Sequence, residues 1–137
     1  MITRLTLKYT RDQWIDVKDQ QTVRDEKDVH TYSNDGLSAD GQSTKYNIVK
    51  HRIATAAVRI KNWSVENGDG KVIPWPGAGS TFKERVDVIE GLYEKQLDRI
   101  SEAITAHLNA LAKAEDEEKK ETPDGETGSA PSSPSVN

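Results

Sequence analysis

No cysteine occurs in these 137 residues. That excludes disulfides, thiolate metal centres and cysteine nucleophiles together, and it fits a reducing compartment. Only 34% of the residues are hydrophobic, with a single Phe and a single Met, so the core must be modest. No apolar run approaches the ~20 residues that span a bilayer. The opening Met1-Ile2-Thr3-Arg4-Leu5-Thr6-Leu7 lacks the continuous apolar stretch of a signal peptide. A cytoplasmic protein without membrane contact is expected. A basic face is missing too. Residues 114–137 hold seven acids and two lysines, net −5, which leaves +1 for residues 1–113. The near-neutral body offers no electrostatic footprint for nucleic acid.

The common catalytic signatures are also absent. His30, His51 and His107 are far apart and share no metal-ligand spacing. The glycines at 68, 70, 77 and 79 do not form a phosphate loop, and no Gly-x-Ser-x-Gly occurs. Asn67-Gly68-Asp69-Gly70 lacks the alternating oxygen ligands and distal Glu of a calcium loop. The chain is therefore expected to be no enzyme and to hold no metal and no cofactor. Asn62-Trp63-Ser64 matches the glycosylation sequon, which means nothing without secretion.

What is present is a pattern of short strands and amphipathic helices. Residues 3–9 and 13–18 read as a hairpin of two strands, rich in Thr, Tyr, Trp, Ile and Val. Residues 19–33 are polar, with Val23, Val29 and Tyr32 as anchors, and fit a short helix or an edge strand. Ser33 to Thr44 reads as a loop. Tyr46, Val49, Ile53, Ala57 and Ile60 share one helical face, and the alanines at 54, 56 and 57 favour a helix over about 45–59. A strand follows from Ile60 to Val65. The Asn-Gly-Asp-Gly turn then predicts a return strand at Lys71 to Trp75, limited by Pro74 to an edge or an ending.

Thr81 opens the last helical region, with Glu84 completing a capping box. Phe82, Val86, Ile89, Tyr93 and Leu97 begin an apolar stripe, continued by Ile100, Ile104, Leu108 and Leu111. Gly91 interrupts it chemically but not in phase. Either a break near Glu90-Gly91-Leu92 or a continuous helix fits, and the unbroken phase favours continuity. A continuous helix would be ~45 Å long at 1.5 Å per residue. The expected fold is α+β: a small antiparallel sheet, built from the N-terminal hairpin and the Trp63/Trp75 hairpin, packed with a central helix and a long C-terminal amphipathic helix. Residues 1–113 form one domain. Residues 114–137, charged and then rich in Ser, Pro, Gly and Thr, are expected to be disordered.

Two features point outward. Trp14 and Trp63 read as core anchors, whereas Trp75 lies between two prolines beside a Gly-Ala-Gly joint. Aromatic anchors dominate protein interfaces. The sheet is too short to cover a 45 Å helix, so Ile100, Ile104, Leu108 and Leu111 would need a partner or a second copy. Trp75 and these four are the candidate partner-binding residues.

Trp14-Ile15-Asp16-Val17, Trp63-Ser64-Val65, the turn at Asp69-Gly70 and Val72-Ile73-Pro74 form an ordered series. A linker, an amphipathic helix ending near His107-Leu108-Asn109 and a Lys/Glu/Ser/Pro tail follow. Over about residues 12–112 this series resembles small virion-assembly proteins of long-tailed (siphovirus-type) bacteriophages, tail assembly chaperones among them. Residues 19–44 have no counterpart in it. The resemblance implies a role in virion morphogenesis: binding apolar segments of tape-measure or tail-tube proteins until they polymerise. The alternative it implies is a structural component that stays in the particle, as a head decoration, connector or tail protein. A small adaptor with unrelated binding duties is the remaining reading.

Overall fold

The computed structural model describes residues 1–37, 41 and 44–121. The fold is α+β. Strands β1 (Ile2–Thr6) and β2 (Trp14–Lys18) form the expected hairpin, with Leu5 opposite Ile15 and Thr6 opposite Trp14. Helix α1 (Val23–Ser33) follows, then β3 (Asn34–Leu37), β4 (Thr44–Tyr46), α2 (Ile48–Arg59) and β5 (Ile60–Trp63). Helices α3 (Phe82–Glu90) and α4 (Glu94–Glu121) complete the order. Two sheets result: an antiparallel three-stranded one in the order β1-β2-β5, and the β3-β4 pair.

Local chemistry explains these elements. Thr22 caps α1 by accepting from Asp25 N–H (3.1 Å), and the Asp25 carboxylate accepts from Thr22 N–H (3.0 Å). This reciprocal box satisfies two amide donors that a helix start leaves unpaired. It turns the open reading of residues 19–33 into a helix. Asn47 caps α2 by accepting from Lys50 N–H (3.0 Å). Ala54, Ala56 and Ala57 are buried, and α2 packs against both α1 and α3. Small side chains permit that double contact. Val29, Ala54 and Val58 form one core cluster, flanked by Tyr32 and Phe82.

Beyond β5 the chain turns back at Asn67. Its side-chain oxygen accepts from Asp69 N–H (2.9 Å) and Lys71 N–H (3.1 Å), and Gly70 takes a left-handed φ of +76°. The return segment is shorter than the expected strand at Lys71–Trp75. It is a single bridge, Glu66 to Val72, with bonds from Asn67 N–H to Lys71 O (2.8 Å) and from Ile73 N–H to Val65 O (2.8 Å). Pro74 has no N–H to extend it.

Three more expectations are corrected. The region read as a loop, Ser33 to Thr44, contains β3 and the first residue of β4; residues 38–40, 42 and 43 lie outside the described residues. The helix favoured as continuous from Thr81 is broken: α3 ends at Glu90 and α4 starts at Glu94. Gly91 N–H bonds to Val88 O (3.2 Å) and Leu92 N–H to Ile89 O (3.1 Å), a tightened last turn. Gln96 then caps the new start by accepting from Tyr93 N–H (2.9 Å). Helix α4 runs to Glu121, so residues 115–121, expected to be disordered, are helical; residues 122–137 lie outside the described residues. The described residues divide into two units, residues 1–104 and residues 105–121.

Candidate interaction surface

Exposed apolar side chains collect at one corner of the first unit. Leu37 ends β3, Tyr46 ends β4, and Ile48 and Val49 open α2; they are 63, 54, 56 and 53% exposed. In the β3–β4 pair Leu37 is opposite Thr44 and Asn34 opposite Tyr46, with a register shift between the two. Polar contacts hold the corner in place. Asn34 Oδ1 accepts from Gly36 N–H (2.8 Å) and fixes the turn after α1. Asn47 N–H donates to Ser33 O (2.9 Å). The Asp35 carboxylate accepts from Asn47 Nδ2 (2.9 Å) and Lys50 Nζ (2.8 Å), which latches β3 to the start of α2. The apolar groups are thus presented on a fixed frame.

Electrostatics around this corner are mild. Hydrogen bonds from Lys50 and Asn47 hold the Asp35 carboxyl below the usual carboxylate range. The Tyr46 and His51 rings lie 5.3 Å apart, and burial, reinforced by His30, lowers the His51 pKa. His51 is therefore neutral near pH 7. Deeper in, the Tyr32 hydroxyl donates to the Glu90 carboxylate (2.7 Å). Burial and that carboxylate push the phenol up to about 12. Tyr32 also meets Phe82 edge to face, at 5.9 Å.

The five residues expected to bind a partner fall in different places. Trp75 is half-buried, its ring 4.6 Å from that of Trp63 and tilted by 54°. Trp63 is buried and donates Nε1–H to Ile73 O (2.7 Å), so Trp75 covers an internal anchor as well as facing outward. Ile100 and Ile104 are 0 and 3% exposed. The spare stripe expected there is corrected: the break after Glu90 lets α4 seat its first turns on the body. Gln96 Nε2 donates to Glu66 O (2.8 Å) and Arg52 Nη1 meets Asp98 Oδ1 (3.5 Å) across that seat. Leu108 and Leu111, in the second unit, stand one turn apart and are half-buried. Of the three in the first unit, only Trp75 reaches the surface.

Sequence reasoning missed the corner at Leu37, Tyr46, Ile48 and Val49. It placed Tyr46 and Val49 on the inner face of a helix with Ile53, Ala57 and Ile60. Only the last three are buried. A signal was available: Ile48 lies off that stripe, and Asn47 is a better cap than a helix interior residue.

Among the described residues no group of three or more His, Asp or Glu side chains converges as a metal cage. No described helix is long and apolar enough to cross a membrane. No protein-family model matches the chain, and neither does any curated protein or solved structure.

Proposed function

We propose that this chain is a non-enzymatic binding protein of bacteriophage virion morphogenesis. It acts in the host cytoplasm as a tail assembly chaperone and needs no cofactor. It holds apolar segments of the tape-measure protein or tail-tube subunits until they polymerise. The observation that supports this reading is the framed corner of Leu37, Tyr46, Ile48 and Val49, each more than half exposed. Exposed apolar side chains gathered in one part of a fold are where a soluble protein meets a partner. A holding protein must also keep its cargo in solution. The helical charge run from Glu115 to Glu121 and the acidic residues beyond it carry the net negative charge that this requires. The ordered Trp63-Ser64-Val65, Asp69-Gly70 and Val72-Ile73-Pro74 series carries the resemblance to tail chaperones.

Co-expression with the tape-measure protein tests the proposal. The wild-type chain keeps that protein in the supernatant. A Tyr46→Ser/Val49→Ser variant lets it precipitate, while its own stability changes by no more than ~1 kcal/mol, as for two surface substitutions. Equal solubility with either form removes the corner from the account.

A further inference from the structure

The three-stranded sheet has the order β1-β2-β5, so β1 is an edge. Its register with β2 tells which way each main-chain group points. Asp19 N–H donates to Met1 O (3.0 Å) and Leu7 N–H to Gln13 O (2.8 Å), at either end of the pairing from Ile2–Lys18 to Thr6–Trp14. Antiparallel partners alternate between pairs that exchange bonds and pairs that do not. Met1, Thr3, Leu5 and Leu7 therefore bond across the hairpin, and the N–H and C=O groups of Ile2, Arg4 and Thr6 point out of the sheet. Among the described residues none of these outward groups has a partner. The other edge, β5, runs on into the Asn67 turn, where Val65 and Glu66 pair with the return segment.

Solvent-facing edges are usually blunted by Pro, Lys, a bulge or an outward charge. Strand β1 has no Pro and no Lys, and its register with β2 is unbroken, whereas that of β2 with β5 shifts. Its one charge is turned inward. Arg4 Nε and Nη2 donate to the two Asp16 carboxylate oxygens (2.8 and 3.0 Å), and the guanidinium lies 3.5 Å from the centre of the Trp14 ring. Both partners are on β2, so the fork covers β2 and leaves the edge open. That edge is also apolar: Met1 and Ile2 are 95 and 55% exposed and Leu5 is half-buried, while Ile15 and Val17 on β2 are sealed.

We propose that β1 pairs antiparallel with β1 of a second copy, about a two-fold axis at Arg4. Ile2 then stands opposite Thr6 of the second copy, Arg4 opposite Arg4, and Thr6 opposite Ile2. These are the residues whose main-chain groups point outward, so each facing pair exchanges two bonds. The edge is its own complement, which is what a two-fold contact requires. Charge agrees: the row across the axis reads Asp16, Arg4, Arg4, Asp16 and sums to zero. Leu5 comes to lie opposite Thr3 of the second copy, which covers it. The contact is one strand long, below the area of a standard stable interface, so the dimer is weak and reversible. It uses none of the corner at Leu37 and Tyr46 and does not depend on the chaperone reading.

The absence of cysteine makes a register-specific test clean. Ile2→Cys and Thr6→Cys chains are prepared separately, then oxidised alone and as an equal mixture. Facing Cα atoms in a bonded pair are ~5.5 Å apart, within disulfide reach, whereas the two copies of residue 2 are offset by about 13 Å along the strands. The mixed disulfide, identified by intact mass, should form at least ~10-fold faster than either like-with-like one. Sedimentation velocity of the wild-type chain should show a monomer at about 10 μM and a dimer fraction that grows toward about 1 mM. Ile2→Pro removes an outward N–H without touching the bonds to β2, and should weaken that association at least ~10-fold with unchanged melting. A monomer at every concentration, mixed cross-linking no faster than like-with-like, or a dimer indifferent to Ile2→Pro would overturn the proposal.

Discussion

Ile100→Ala separates internal core from docking surface. Ile100 has no exposed surface, and the cavity shared with Leu7 and Val65 lies beside it. Truncation to Ala removes roughly three carbons at about 0.8 kcal/mol each, or about 2.4 kcal/mol of lost burial. The neighbours are themselves anchored, so the hole will not fully collapse, and the total should fall within the ~2–5 kcal/mol usual for such changes. Taking about 3 kcal/mol, and roughly 4–8 °C per kcal/mol for a unit of this size, Tm should drop by ~12 °C or more. Thermal and urea unfolding of the purified chain measure this directly. Leu108→Ala is the internal contrast. Half-buried in the second unit, it should cost no more than about 1 kcal/mol. Should Ile100→Ala lose under ~1 kcal/mol while an association of the chain weakens, the stripe would be an interface after all and the packing argument would be wrong.

Other outcomes follow from the caps and the titrating groups. Thr22→Ala removes the acceptor for Asp25 N–H and should cost about 1 kcal/mol in urea unfolding, with Thr22→Ser restoring most of it. His51 has a lowered folded-state pKa against 6.5 unfolded. Its contribution is therefore complete above pH 6.5 and declines as pH falls toward the folded value, because the unfolded chain then binds the extra proton. The urea midpoint should fall between about pH 7 and 5, and His51→Gln should flatten that slope. For Asp25, burial raises the pKa, but the Lys18 ion pair and the Thr22 N–H outweigh it and the net shift is downward. Stability should therefore drop further below about pH 4, and Lys18→Met should weaken that acid step.

Much of the fold was legible because local chemistry and burial agree. Alternation in Leu5, Leu7, Ile15 and Val17 places the first hairpin, although β1 ends at Thr6 and not at residue 9, and the alanines before Ile60 place the α2-to-β5 switch. Asn67 and Gly70 fix the turn by bonds that side chain and backbone make wherever such a turn forms. Thr81 and Glu84 cap α3 as read. Helix α1 was open because its apolar content is slight: Val29 is buried, Tyr32 half-buried and Val23 exposed. Its box also uses Asp25 where Glu or Gln is the usual signal. The stripe from Phe82 to Leu111 misled for a physical reason. A helix that breaks and resumes in phase keeps its periodicity, and periodicity reports a buried face without saying what covers it.

The most direct test of the assembly role is quantitative mass spectrometry of purified phage particles beside lysate from infected cells. The account predicts the chain in the lysate, associated with tape-measure or tail-tube protein, and its absence from finished particles. Recovery at a fixed stoichiometric copy number in the particles would contradict it and make the chain a structural part of the virion.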